Sequence, residues 1–324
     1  MSGMRLESTR IAFLETLTAL MEADPKTVVV FADSVKVFRA TPEFAQRFPG
    51  RVIDVGIAEQ NMVATAAGLA TCGLTVFAAT YAGFITMRAC EQVRTFVAYP
   101  GLNVKFIGAN AGIFGGEREG VTHQFFEDLA IVRSIPGVTV VVPADAAAVR
   151  QATTAIAQAK GPAYLRIGSG RDPVVVDPPR PFALGKIRVL EDHGRDFAIF
   201  ANGYLLQRSL EAAAQLKSQG LRGRVVEVHT LRPLDADGIA RVLAESPAAV
   251  SVEDHQINGA LGSAVAEVIA EHGTGRLVRL GLQDVFAESG DAFGLLDRYG
   301  LGVADIVQAV ERVVSKTGAK TGRA

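Results

Sequence analysis

The chain has 324 residues, enough for two domains with sizeable cores. Charged residues make up 21%, apolar residues 49%, and the formal net charge is −1, which argues against a nucleic-acid partner. Its two cysteines, Cys72 and Cys90, lack CxxC spacing, which argues against a disulfide scaffold or a zinc site and fits a reducing compartment. No stretch approaches the ~20 apolar residues of a membrane span. The first residues lack a long apolar core with a small-residue cleavage site. The expected location is the cytoplasm, with no membrane contact.

Arg5 to Glu22 carries apolar residues at helical spacing, with Ser8 or Thr9 as a cap and Asp24-Pro25 as the stop. Thr27 to Ala32 is short, continuous and β-branched, the pattern of a buried parallel strand. Asp33 to Pro42 reads as a polar loop, and Arg51 to Val55 as a second extended run. Gly56-Ile57-Ala58-Glu59-Gln60-Asn61-Met62 then opens an Ala- and Gly-rich segment that reads as a buried helix, Val63 to Gly73. By position alone Glu59 is a first-turn acid that complements the helix dipole. Its charge would otherwise be desolvated.

A strand at Leu74 to Ala79 leads into Thr80-Tyr81-Ala82-Gly83-Phe84, with helix expected in the residues up to Arg94. By themselves, Tyr81 and Phe84 read as core aromatics. Val104 to Gly108 is a strand that runs into a Gly-rich polar loop, Asn110 to Gln124, containing Glu119 and His123. Such loops build sites in α/β folds. A helix at Phe126 to Arg133, a strand at Val138 to Val142, an Asp145-capped helix to Lys160 and a strand around Tyr164 to Ile167 follow.

Arg171 to Pro181 is Pro-rich and irregular. The domain division expected is 1–172, a linker 173–184, and 185–324. Beyond the linker, strands and helices alternate again, with strands at Phe197–Ala201, Gly223–Val228, Ala248–Glu253 and Leu277–Gly281. The fold class is therefore α/β: two consecutive domains, each with a largely parallel sheet flanked by helices. Neither GxGxxG nor a P-loop occurs in the second half.

Three stretches taken together resemble the transketolase family of thiamine diphosphate enzymes. These are Gly56 to Met62, Thr80-Tyr81-Ala82-Gly83-Phe84, and Gly120-Val121-Thr122-His123-Gln124. The resemblance implies that Glu59 hydrogen-bonds the cofactor's pyrimidine ring and favours its imino tautomer. It implies cofactor contacts for Ile57, Tyr81 and Phe84, with the two aromatics walling a flat ring. His123 would contact substrate hydroxyls near the reacting carbon and move a proton there. Arg10 and Arg166 match family phosphate contacts, and Arg suits that work through its rigid fork. Asn110 stands where the family often has His, and Glu119 is the stand-in for an acidic residue that reads a hydroxyl. The Ser-Asn or Ser-Thr pair expected after Asp33 is replaced by Lys36-Val37-Phe38-Arg39. Glu117-Arg118-Glu119-Gly120 is one residue longer than the family's E-D-G.

The resemblance covers only the second half of a full transketolase. The G-D-G…N segment that grips the cofactor's diphosphate through Mg2+ or Ca2+ is absent; the only Gly-Asp is Gly290-Asp291. No metal site is expected on this chain. The resemblance therefore implies a split enzyme: a β-type subunit, paired as a homodimer with a diphosphate-binding N-terminal subunit in an α2β2 heterotetramer. It would transfer a two-carbon ketol unit between small sugars, and the altered phosphate contacts point to a modified one. Rival readings are the β subunit of a 2-oxoacid dehydrogenase decarboxylase, a deoxyxylulose-phosphate synthase, and a non-catalytic scaffold subunit. The Thr-His-Gln loop favours transketolase over the dehydrogenase. Retention of Glu59, Tyr81, Phe84 and His123 argues against the scaffold.

Overall fold

The computed structural model describes residues 5–115, 119–170, 172–177 and 179–317. Of the longer Glu117-Arg118-Glu119-Gly120 stretch, residues 117 and 118 lie outside the described residues. The first domain is built on a seven-stranded sheet. Its order is Thr230–Arg232, Thr139–Val141, Ala163–Arg166, Val104–Ala109, Thr75–Tyr81, Thr27–Phe31 and Val52–Asp54. Six of these strands run parallel, and five lie buried or nearly so on both faces, as continuous β-branched runs require. Helices Thr9–Ala23 and Ala146–Gln158 cover one face, around Phe13, Leu17, Phe31, Phe77 and Val149. Helices Glu59–Thr71 and Asp128–Ser134, with the helical stretch Phe84–Ala98, cover the other.

The second domain has a five-stranded sheet, in the order Arg276–Leu282, Ala248–Gln256, Ala198–Ala201, Arg224–Glu227 and Arg188–Asp192. The last of these is antiparallel, and the other pairs are parallel. Both sheets belong to the α/β class with helices on their faces.

Several local expectations are corrected. Leu6–Glu7 is not helical but a two-residue strand paired with Asp172–Pro173. The helix starts at Thr9 because Ser8 adopts an extended conformation and its hydroxyl accepts from the Ile11 amide at 3.2 Å. The polar stretch after Asp33 ends in a short helix, Pro42–Arg47, with Pro at its first turn. The stretch after Gly83 is helical, but mostly in a π register, Phe84–Arg88 and Val93–Ala98. The largest correction is Thr230–Arg232. It lies beyond the linker yet pairs antiparallel with Thr139–Val141, completing the first domain's sheet. Three residues carry too little periodicity to be read as a strand.

The Pro-rich connection is also pinned. Asp145 Oδ1 caps its helix through the Ala148 amide at 2.9 Å, as expected. Its Oδ2 accepts from Val175 and Val176 at 2.9 and 3.0 Å. One core then runs between the domains, from Val140 and Val142 to Phe200, Val226 and Leu231. No helix among the described residues is long and apolar enough to cross a membrane.

Candidate functional site

In a parallel sheet the loops leaving the carboxyl ends of the strands form one rim, where α/β folds place their ligands. Glu59 follows the strand Val52–Asp54, Tyr81 ends Thr75–Tyr81, Asn110 follows Val104–Ala109, and Arg166 ends Ala163–Arg166. Arg10 lies in the first turn of Thr9–Ala23, whose chain then runs back to begin Thr27–Phe31.

Glu59 is the first residue of its helix and only 6% exposed. Its carboxylate accepts from Arg88 Nη1 at 2.9 Å. The Arg88 guanidinium in turn lies over the Phe84 ring, 3.6 Å from its centroid. Tyr81 and Phe84 pack at 5.2 Å between centroids, and the His123 ring stands edge-on to both, at 5.1 and 5.4 Å. Phe125 backs Phe84 at 5.3 Å. A β-carbon at Gly83 would collide with the Phe125 ring, so glycine is what lets that wall close. Ile57 is 76% exposed at the mouth of the Glu59 turn. A cavity of about 290 Å³ opens beside Phe84, Met87, Arg88, Thr122 and Phe125.

A second cluster lies on the other side of Tyr81. Arg10 donates to the Asn110 side-chain oxygen and, at 3.4 Å each, to the Gly168 and Val37 carbonyls. Asn110 is buried and adopts φ 56°, a left-handed conformation that asparagine tolerates better than most side chains. Burial lowers the Arg10 pKa, while the charges of Asp172, Tyr81 and Glu119 oppose that shift. Burial raises the Tyr81 phenol, against the pull of Arg10. The positive charge of Arg39 also lowers the Arg10 pKa. Arg39 is exposed and left-handed, with φ 58°. It belongs to Lys36-Val37-Phe38-Arg39, the stretch that stands in place of the Ser pair.

Arg166 is placed differently. It is 7% exposed and forms a two-pronged pair with Asp128, at 2.9 and 3.0 Å. Its Nη2 also donates to the carbonyls of Phe125 and Asp254, at 3.1 and 3.0 Å. Tyr164 donates to the same Asp128 carboxylate at 2.7 Å. This arginine is committed to the protein interior, while Arg10, Asn110, Glu119, Tyr81, Phe84, His123 and Glu59 share the rim.

Glu253 and His255, in the Val252-Glu253-Asp254-His255 segment, are structural. Glu253 caps the helix Leu261–His272 through the Leu261 and Gly262 amides, both at 2.8 Å. Burial raises its pKa to about 7. His255 is fully buried, donates Nδ1–H to the Gln256 carbonyl at 2.7 Å, and accepts from the Ala130 amide at 3.4 Å. Burial lowers its pKa to about 4. Among the described residues no group of three or more His, Cys, Asp or Glu side chains is arranged to hold a metal ion.

The residues present fit an aminopyrimidine. A buried carboxylate on a rigid helix start faces a cation that a protonated ring could replace, beside flat aromatic faces.

The chain is similar over most of its length to known proteins. Residues 7–170 match the family model described as transketolase, pyrimidine binding domain, and residues 185–306 match transketolase, C-terminal domain. The chain is 40% identical over 311 residues to a putative transketolase C-terminal section of Methanocaldococcus jannaschii, covering 95% of this chain and 96% of the relative. It is 38% identical over 308 residues to a 6-deoxy-6-sulfo-D-fructose transketolase subunit, SqwH, of a Clostridium species, covering 95% and 94%. A solved structure titled as a split gene transketolase, inactive beta4 tetramer, superposes with a TM-score of 0.88 at 40% identity. It covers 95% of this chain and 99% of that one.

Proposed function

The chain belongs to the transketolase family, and we propose that it is the β-type, C-terminal subunit of a split, thiamine diphosphate-dependent transketolase. It acts with a separate N-terminal subunit that carries the diphosphate-binding half and its Mg2+ or Ca2+. The assembly is an α2β2 heterotetramer in the cytoplasm, built on a homodimer of this chain. The functional units are 1–172 and 185–324, joined by the Pro-rich segment.

The observation that carries this reading is the buried Glu59 carboxylate joined through Arg88 to the Phe84 ring, with Tyr81 and His123 packed on that ring. Bound thiamine diphosphate supplies a nucleophilic carbon and an electron sink for breaking and remaking a carbon–carbon bond. Glu59 holds a proton on the pyrimidine ring nitrogen, where a dry anion is most effective. Tyr81 and Phe84 orient the ring and exclude water, and Ile57 closes the mouth. His123 engages Thr122 through Nδ1 at 3.0 Å, which leaves Nε2 for a substrate hydroxyl and its proton. Arg10 and Asn110, with Arg39 as a second cation, read the far, anionic end of the sugar, and Glu119 reads a hydroxyl. Arg166 contributes to this end only by holding the loop from behind.

The sugar is a modified one. The His-to-Asn change at 110 and the loss of the Ser contact argue against an ordinary pentose phosphate. Relatives whose printed substrates are a sulfonated fructose and apulose 4-phosphate support a modified sugar, with a sulfonate or a phosphate as its anion.

Calorimetry with thiamine diphosphate and magnesium tests the reading, on this chain alone and mixed with its N-terminal partner. Binding in the mixture only, lost in Glu59→Gln, is expected. Binding by neither sample would favour a non-catalytic scaffold. Efficient turnover of xylulose and ribose phosphates would overturn the modified-sugar assignment.

A further inference from the structure

The loop that carries Glu119 and His123 is tied at its start directly to Asp254 of the other domain, and at its end to the same residue through Arg166. At its start, Asp254 Oδ1 accepts from the Ile113 amide at 2.9 Å and Oδ2 from the Phe114 amide at 3.0 Å. Gly112 is moulded to this carboxylate: its φ is +76°, and a β-carbon there would collide with Asp254. At its end, the Asp254 carbonyl accepts from Arg166 Nη2, which also donates to the Phe125 carbonyl. That carbonyl receives the Gly112 amide at 2.7 Å, so the two ends are joined to each other as well. A further tie runs from Gln124 Nε2 to the Glu288 carbonyl at 2.9 Å.

His123 lies two residues from Phe125, and among the described residues its ring forms no ion pair. Its ring is placed by the loop beneath it and by the edges of Tyr81 and Phe84. Asp254 is buried, so water does not compete for its hydrogen bonds. Two amides on a carboxylate are charge-assisted bonds, among the strongest a loop can be given.

We infer that Asp254, acting through the Gly112–Phe114 amides and Arg166, is a positioning residue that sets where His123 stands at the reaction site. The second domain is then part of the site's working geometry. Arg166, which sequence matching assigned to the substrate, acts from behind the loop as the second half of the same clamp. The inference rests on His123 being a site residue, but its test needs neither cofactor nor substrate.

The test is a ring 13C–1H correlation spectrum of the histidine-labelled full chain, which has five histidines, with His123 assigned through His123→Gln. In the wild type, ring currents from Tyr81 and Phe84 displace the His123 signal from that of the exposed His272. In Asp254→Asn one amide loses its acceptor, and the His123 signal is expected to move toward the exposed position. Glu253→Gln is the control. It disturbs a neighbouring buried carboxylate that caps a different helix, so it lowers stability without moving His123. If Asp254→Asn does not fold, Arg166→Lys is read in its place. It keeps a cation beside Asp128 but withdraws the donor from the Phe125 and Asp254 carbonyls, and the same movement is expected. A stationary His123 signal in the folded variant overturns the inference, as does an equal movement in Glu253→Gln. Either result would leave the cofactor reading standing, because that reading is decided by calorimetry.

Discussion

Arg88 Nη1 donates to Glu59 at 2.9 Å while its guanidinium covers the Phe84 face at 3.6 Å. The Arg88 side chain is 50% exposed, so solvent screens the pair and its contribution to stability is at most about 1 kcal/mol. The cation occupies the ring face and the carboxylate that a pyrimidine would use. Arg88→Ala is therefore expected to unfold nearly as the wild type does. It should tighten thiamine diphosphate binding by the two-subunit mixture about twofold to fivefold, the scale of one exposed cation–π contact. Weaker binding in the same titration would mean that Arg88 helps to hold the ring.

Two glycine substitutions should act in opposite directions. Gly83→Ala drives a methyl group into Phe125 and is expected to cost about 1–3 kcal/mol, the range for overpacking. Gly68→Ala lies in the helix Glu59–Thr71, where a β-carbon meets nothing within 4 Å. It should gain roughly 0.5–1 kcal/mol from helix propensity. Urea unfolding of the isolated chain reads both. A neutral Gly83→Ala would show that the aromatic wall is loose.

His255 supplies a pH dependence. Its folded pKa is lowered to about 4 from an ordinary 6.5 because burial disfavours the charged ring. The unfolded chain therefore binds more protons between those values, and the stability it contributes is lost as pH falls from about 6.5 toward 4. Glu227 and Glu253, both raised to about 7 by burial, act in the opposite sense over an overlapping range. The wild type alone would thus mix the effects. His255→Gln removes one of them, so its stability is expected to fall less steeply over that window, by on the order of 1–3 kcal/mol in total. Parallel stability–pH curves for the two proteins would refute this.

Charge at the substrate's far end is the work assigned to Arg10. Arg10→Ala is expected to raise KM for an anionic sugar by about 10- to 100-fold, the worth of a hydrogen bond to a charged group. KM for an uncharged short donor should stay nearly constant. An equal loss with both would place Arg10 in the frame of the site and not at the anion. Arg39→Ala should follow the same pattern more weakly, because its side chain is exposed.

The fold class was legible because the parallel strands are short apolar runs separated by amphipathic segments, as Thr27 to Phe31 illustrates. Glu59, Tyr81, Phe84 and His123 were legible through local strings whose residue types suit one chemistry. Arg166 matched a pattern just as well, yet it turned inward. A linear string does not disclose that Asp128, thirty-eight positions away, waits in the interior to pair with it. Arg39 shows the converse: its string departs from the pattern, and a coulombic effect on Arg10 cannot be read from a string.

The sequence by itself determined the periodicities, the caps at Ser8 and Asp145, and the chemical character of the rim. These are local properties, fixed by neighbours a few residues apart. Only the tertiary structure decided that Thr230–Arg232 completes the other domain's sheet, and that Asp254 closes the loop bearing His123. Both depend on which backbone amides and carbonyls are left unpaired once the sheets have formed. Each buried polar group must then find a partner wherever the chain has brought one.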